Sequence, residues 1–122
     1  MNTPEANTFL IVLTHSPYGS AHSQEAIDIA LACASFDINV NVLFKGDACY
    51  YLLPNPSATL AGRKPSEKML SAFAIYGINT LYIDEDDALA RGLDVSHSNG
   101  RQFVSRDKIR HLYTNAAQVV RF

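Results

Sequence analysis

The sequence predicts an α/β fold, a three-layer α/β/α sandwich with a mainly parallel sheet of about five strands. Phe9-Leu-Ile-Val-Leu13 is an unbroken apolar run, the pattern of a strand buried on both faces of a parallel sheet. Short β-branched or apolar runs then alternate with stretches of helical periodicity along the chain, which is how β-α-β units read. At 122 residues the whole chain, 1–122, is expected to form a single domain around one core, with 1–7 as a flexible lead-in.

Each element has its own signal. After the strand ending at Leu13, the loop Thr14-His-Ser-Pro-Tyr-Gly-Ser20 leads to a helix over about Ala21–Phe36, with Ala26, Ile27, Ala30, Leu31 and Ala34 at helical spacing and Ser20 or Ser23 as cap. Ile38–Phe44 reads as a second strand, closed by the turn residues Lys45-Gly46-Asp47. Ala48–Leu53 suits a short helix, and Pro54 to Pro65 a surface loop broken by prolines. Ser66–Tyr76 places Met69, Leu70, Phe73 and Tyr76 on one helical face, and Gly77 stands where a left-handed cap is favoured. Thr80–Ile83 is a third strand, followed by the acidic turn Asp84-Glu-Asp-Asp87 and a short helical stretch Ala88–Arg91 stopped by Gly92. Phe103-Val104 is a minimal fourth strand, Ser105–Asn115 a capped helix, and Val119–Phe122 a closing strand.

Composition narrows the function classes. A hydrophobic fraction of 48% with 18% charged residues is that of a folded globular chain, and argues against disorder. The formal net charge of −2, with no run of four or more Lys or Arg, provides no general attraction for a phosphate backbone, so direct nucleic-acid contact is not expected. Met1–Thr8 lacks the basic start of a secretory signal, and Phe9–Leu13 is too short to cross a bilayer, which points to a cytoplasmic protein without membrane contact. Two cysteines, Cys33 and Cys49, do not make a disulfide framework.

Open parallel sheets bind ligands beyond the carboxyl ends of their strands. The residues at that edge that qualify for a site are Ser16, Pro17, Gly19 and Ser20 after the first strand, Asp47 after the second and Asp84 after the third. The His15–Ser20 loop precedes a helix N-terminus able to hold an anion, yet it is neither a dinucleotide fingerprint nor a phosphate loop; a tight turn shaped by Pro17 and Gly19 is the plainer reading. His15, His22, His97 and His111 form no metal-ligand spacing, so neither metal nor cofactor is expected. Glu85, Asp86 and Asp87 read as a solvated turn and not as an acid/base pair, and no catalytic set is assigned. Cys33 falls on the helix between Leu31 and Ala34 and reads as packing. Cys49 is the one candidate thiol, close to a possible helix N-terminus, although packing is again the expectation because only Lys45 is visibly placed to activate it.

Pro17-x-Gly19-Ser20-Ala21, Glu25 with Asp28, Phe44-x-Gly46-Asp47-Ala48-x-x-x-Leu52-Leu53-Pro54, Arg91-Gly92-Leu93 and the closing Val120-Arg121-Phe122 together resemble the DsrE/DsrF/DsrH superfamily, nearest its TusC/DsrF branch. The resemblance runs from Phe9 to Phe122 and rests on the spacing of the whole set. It implies a non-catalytic structural subunit of a cytoplasmic sulfur-relay complex: TusB-, TusC- and TusD-like chains in a heterohexamer, with a TusE-like acceptor docking on it, passing persulfide sulfur toward 2-thiouridine of tRNA wobble positions. In the DsrF setting the same architecture serves sulfur oxidation.

In that superfamily the TusD/DsrE-like subunit carries a persulfide cysteine in the loop after the third strand. The matching position here is Asp84. A carboxylate cannot accept sulfane sulfur as a persulfide, and neither Cys33 nor Cys49 falls at the carrier position. The acidic neighbours would also repel an anionic persulfide. The alternative within the enzyme class is a stand-alone thiol sulfurtransferase using Cys49, and a weaker one is a small-anion or nucleotide module using the His15–Ser20 loop.

Overall fold

The computed structural model describes residues 8–16, 22–52, 71–78, 80–93, 95 and 101–122. Five strands, β1 (Thr8–Leu13), β2 (Asn39–Phe44), β3 (Leu81–Asp84), β4 (Arg101–Val104) and β5 (Gln118–Arg121), form one sheet in the order β4-β3-β2-β1-β5. Every neighbouring pair is parallel. The helices are α1 (His22–Ser35), a described helical stretch over 71–75 (α2), α3 (Glu85–Ala90) and α4 (Arg106–Asn115), with a 3₁₀ helix at Gly46–Leu52. The expected α/β/α sandwich is therefore the observed architecture.

Handedness decides which helix covers which face. The connections β1 to β2, β2 to β3 and β3 to β4 all step in one direction, so right-handed crossovers put their helices on one side of the sheet. The connection from β4 back to β5 steps the other way and puts α4 on the opposite side. Two core clusters follow. Ile11, Leu13, Val42, Phe44 and Ile83 pack with Ala26 and Ala30 of α1, Phe73 of α2 and Ala88 of α3. Leu10, Val12, Leu43 and Val104 pack with Ile109 and Leu112 of α4. β1 supplies both clusters, which is why its apolar run is continuous: Leu10, Ile11 and Val12 are all fully buried.

Three helices close onto their following segment by the same device. At α1, α2 and α3 the residues Asp37, Gly77 and Gly92 take positive φ (57°, 85° and 75°). In each case the N–H of the next residue reaches back to a carbonyl in the last helical turn: Ile38 to Cys33 (3.0 Å), Ile78 to Phe73 (2.8 Å) and Leu93 to Ala88 (3.0 Å). Ile78 and Phe73, and Leu93 and Ala88, also belong to one apolar cluster, the hydrophobic partner of this cap. Asp37 does the work of a glycine, a conformation that short polar side chains tolerate better than other residues.

Several boundaries differ from the sequence reading. The acidic turn is no turn: α3 starts at Glu85 and ends at Ala90, ahead of the expected Ala88–Arg91, because Asp84 caps it with φ −64° and ψ 112° and its side chain accepts the Asp87 N–H. The second-strand helix is 3₁₀ and begins at Gly46 instead of Ala48. β2 and β3 each start one residue later than expected, at Asn39 and Leu81, and β4 extends back to Arg101. β5 is Gln118–Arg121, one residue earlier than expected, although Phe122 continues the ladder through its N–H to Val12 (2.8 Å). Tyr76 does not share the buried face of Phe73; it lies past the end of α2 and is about half exposed. Leu31 and Ala34 are only half buried, and Cys33 is the buried residue of that turn of α1. The expected loop 54–65, the helical residues 66–70, the cap Ser20 and the lead-in 1–7 lie outside the described residues.

Candidate functional site

The carboxyl ends of β2 and β3 are joined by a polar network. Parallel pairing sets Phe44 beside Ile83, so Lys45 and Asp84 leave the sheet side by side. Lys45 Nζ donates to Asp84 Oδ2 at 2.9 Å, and Asp84 Oδ1 accepts the Asp87 N–H at 3.1 Å. Asp87 Oδ2 in turn accepts the Gly46 N–H at 2.7 Å. Arg91, at the end of α3, donates through Nε and Nη2 to Asp47 Oδ1 (3.1 and 3.0 Å) and through Nη1 to the Asp87 carbonyl (3.1 Å). Gly46 makes the turn with φ +56°, and a Cβ there would meet only the Thr14 carbonyl and Arg91 at ordinary contact distance, so conformation and not space calls for glycine.

Asp84 is the centre of this network and is 6% exposed. Burial alone would raise its pKa. The hydrogen bonds from Lys45 and from the Asp87 and Asp86 N–H groups, together with the Lys45 charge, outweigh burial and hold the carboxyl below its usual range. The group is thus ionised, capped onto a helix and paired, with both oxygens engaged. Arg91 is likewise held charged, first by its hydrogen bonds to Asp47. That outer pair is solvent-facing on the Asp47 side, whose side chain is 59% exposed, and contributes geometry more than stability.

Cys49 sits beneath the network on the 3₁₀ helix and is fully buried. Its Sγ lies 3.9 Å from the Phe44 carbonyl, the geometry of a weak S–H donor. Burial first, and then the neighbouring Asp87, push its thiol up to about 12; Arg91 and Lys45 pull the other way without reversing this. A reactive thiol needs the opposite environment. Cys33 is buried too, and burial raises its pKa. Both are free cysteines.

The structure brings Asp47 and Asp84 into one network, linked through Asp87 and Arg91. Ser16 lies half-buried beyond β1, while Thr14 there donates its hydroxyl to the Phe122 carbonyl at 2.7 Å. Pro17, Gly19 and Ser20 lie outside the described residues. The sequence reading missed Asp87 and Arg91. The solvated-turn reading of Glu85, Asp86 and Asp87 holds for Asp86 with its side chain 69% exposed, but not for Asp87, whose carboxylate accepts the Gly46 N–H. The spacing Asp84-x-x-Asp87 before Ala88 was the available sign of a capped helix. Among the described residues no group of three or more His, Cys, Asp or Glu is placed to hold a metal ion. No described helix is long and apolar enough to cross a membrane.

The profile of the DsrE/DsrF-like family matches residues 7–122. The chain belongs to that family. It is 32% identical over 88 residues to the Protein TusC homolog of Pseudomonas aeruginosa, covering 72% of this chain and 74% of that protein. It is 32% identical over 85 residues to the intracellular sulfur oxidation protein DsrF of Allochromatium vinosum, covering 70% of this chain but only 62% of DsrF, so it spans less than two thirds of that relative. Protein TusC of Klebsiella pneumoniae is 33% identical over 85 residues, with 68% of this chain and 70% of that one aligned. The crystal structure of the ychN protein from E. coli superposes with a TM-score of 0.75 at 17% identity over 94% of this chain and 98% of that one, which shows the shared fold.

The burial of both thiols leads to a direct expectation. In the doubly substituted chain Cys33→Ala with Cys49→Ser, a hydroxyl replaces a fully buried thiol, and we expect a loss of about 1–3 kcal/mol, most of it from the serine. Chemical denaturation measures that loss. Sulfur transfer by a reconstituted complex containing this variant should stay close to the unsubstituted rate, and a large drop with assembly intact would assign Cys49 an active role.

Proposed function

We propose that this chain is a single-domain, non-catalytic subunit of a TusBCD-like sulfur-relay complex in the cytoplasm. In this reading it assembles with TusB-like and TusD-like chains into a heterohexamer, and a TusE-like acceptor docks on the complex. The persulfide passes along cysteines of the other chains toward 2-thiouridine of the tRNA wobble position, with tRNA contacts on other subunits.

One observation carries the reading. At the position that the family resemblance matches to the carrier cysteine, this chain has Asp84, buried and with both carboxylate oxygens bonded to Lys45 and the helix N-terminus. Sulfane transfer requires a thiolate to attack the outer sulfur of a donor persulfide, forming a new S–S bond and releasing the donor thiolate. A carboxylate with both oxygens engaged performs no such step. Cys49, the alternative acceptor, is shut in and held protonated. The edge residues Asp47 and Asp84 then serve shape: they lock β2, the 3₁₀ helix and α3 into one surface. The likeness to DsrF, as high in identity as that to the Pseudomonas TusC homolog, supports sulfur oxidation as the alternative pathway for the same subunit role.

Co-expression with TusB-like and TusD-like chains followed by native mass spectrometry tests assembly. A hetero-oligomer containing all three chains is expected. A chain that stays apart from matched partners contradicts the subunit role. Exchanging those partners for DsrE-like and DsrH-like chains distinguishes the two pathways by which set assembles.

A further inference from the structure

The face of the sheet under α4 breaks the rule that parallel strands are apolar on both sides. Asn41 stands in mid-strand on β2, next to Leu10 in register, and Thr8 and Tyr82 open the same face on either side. Beside the buried Ile109 and Leu112 of α4, the stripe Lys108, His111 and Asn115, three and four residues apart and so on one side of the helix, borders the sheet. Together with the apolar Leu112 these six residues line a hollow of about 150 Å³. It is a site apart from the carboxyl-edge network.

The chemistry of the wall is one-sided. The Tyr82 hydroxyl, the amides of Asn41 and Asn115, the Lys108 ammonium and the His111 ring can each donate an N–H or O–H, and among the described residues no carboxylate lines the hollow. Lys108 Nζ lies 5.7 Å from the centre of the Tyr82 ring, which steers the charge over the hollow. Its neighbours on the outer side of α4 are different: Arg106 has Asp86 at 3.8 Å and Arg110 has Asp107 at 3.7 Å. Among the described residues Lys108 and His111 have no such carboxylate partner.

We propose that this hollow binds a free small oxyanion of the size and charge of sulfate, with Lys108 providing the charge and His111, Asn41 and Asn115 the directional hydrogen bonds. The volume is about five times the ~30 Å³ that one water occupies in the liquid, enough for one polyatomic ion. The site does not depend on the sulfur-relay reading.

The test is a ¹H–¹⁵N NMR titration of the purified chain with sodium sulfate, ionic strength held constant with sodium chloride. Saturable shifts are expected at Asn41, Lys108, His111 and Asn115, with a dissociation constant in the millimolar range or below. Lys108→Gln, at an exposed position that leaves the fold in place, should weaken binding about tenfold or more, as removal of a charged hydrogen-bond donor does. His111→Gln should weaken it less. Shifts that never saturate, or that appear equally at Arg106, Arg110 and Arg121, would mean an adventitious ion only and overturn the proposal. So would a single-stranded RNA oligonucleotide that shifts these residues where sulfate does not.

Discussion

Replacing Asp84 by alanine is expected to lower the unfolding free energy by about 2–3 kcal/mol. About 1 kcal/mol is the lost cap of α3. The rest is Lys45 left without its carboxylate; it stays below the 3–5 kcal/mol typical of a fully buried broken pair because the Lys45 side chain is 28% exposed. Asp84→Asn keeps an oxygen that can cap and should cost only about 1 kcal/mol. The two variants also differ from the parent in pH dependence. The folded-state pKa of Asp84 lies below its unfolded value, so its contribution is fully present above about pH 4 and is lost as pH falls through the folded pKa. Denaturant midpoints measured from neutral pH down to about pH 3 should show that loss in the parent chain and a flatter profile in Asp84→Asn. Equal slopes would mean that the Lys45–Asp84 pair contributes nothing. Complex function should survive Asp84→Asn, and Asp84→Cys should gain little sulfur acceptance, because Asp86 and Asp87 beside it disfavour a thiolate.

Phe44→Ala should have the larger effect, about 3–5 kcal/mol, a sizeable share of the 5–15 kcal/mol that holds an ordinary domain together. Phe44 is fully buried and its ring meets Tyr51 at 5.8 Å between centroids, tilted by 54°. It is also the last residue of β2, so its loss loosens the strand end from which Lys45 and Gly46 enter the polar network. The denaturant midpoint should fall with little change in the slope. A loss below about 1 kcal/mol would mean that neighbours collapse into the space, and the rigid strand end would have to be given up.

The fold was readable because its signals are local. The apolar run of β1 and the left-handed caps at Gly77 and Gly92 each lie within a few residues of the feature they fix. The α3 start was missed because three adjacent acids suggest a solvated turn, and only the Asp84 side chain folding back on the Asp87 N–H makes them a helical first turn. Arg91 was missed as a partner of Asp47 because the two stand 44 positions apart, a distance no periodicity spans. The basic residues of α4 were missed for a related reason. A search for runs of Lys and Arg passes over Arg106, Lys108 and Arg110, which alternate with other residues and share one element only because residues 106–115 form α4.

The central claim, that this subunit holds the relay together without carrying sulfur, is tested most directly by mapping persulfides on the assembled complex. The complex is charged with a cysteine desulfurase and cysteine, alkylated under native conditions, and each cysteine is read by peptide mass spectrometry. The account predicts a persulfide on a cysteine of a partner chain and none on Cys33 or Cys49 at any time in the reaction. A persulfide on Cys49 that forms and disappears at the rate of sulfur transfer, with transfer lost in Cys49→Ser while the complex stays assembled, would contradict it.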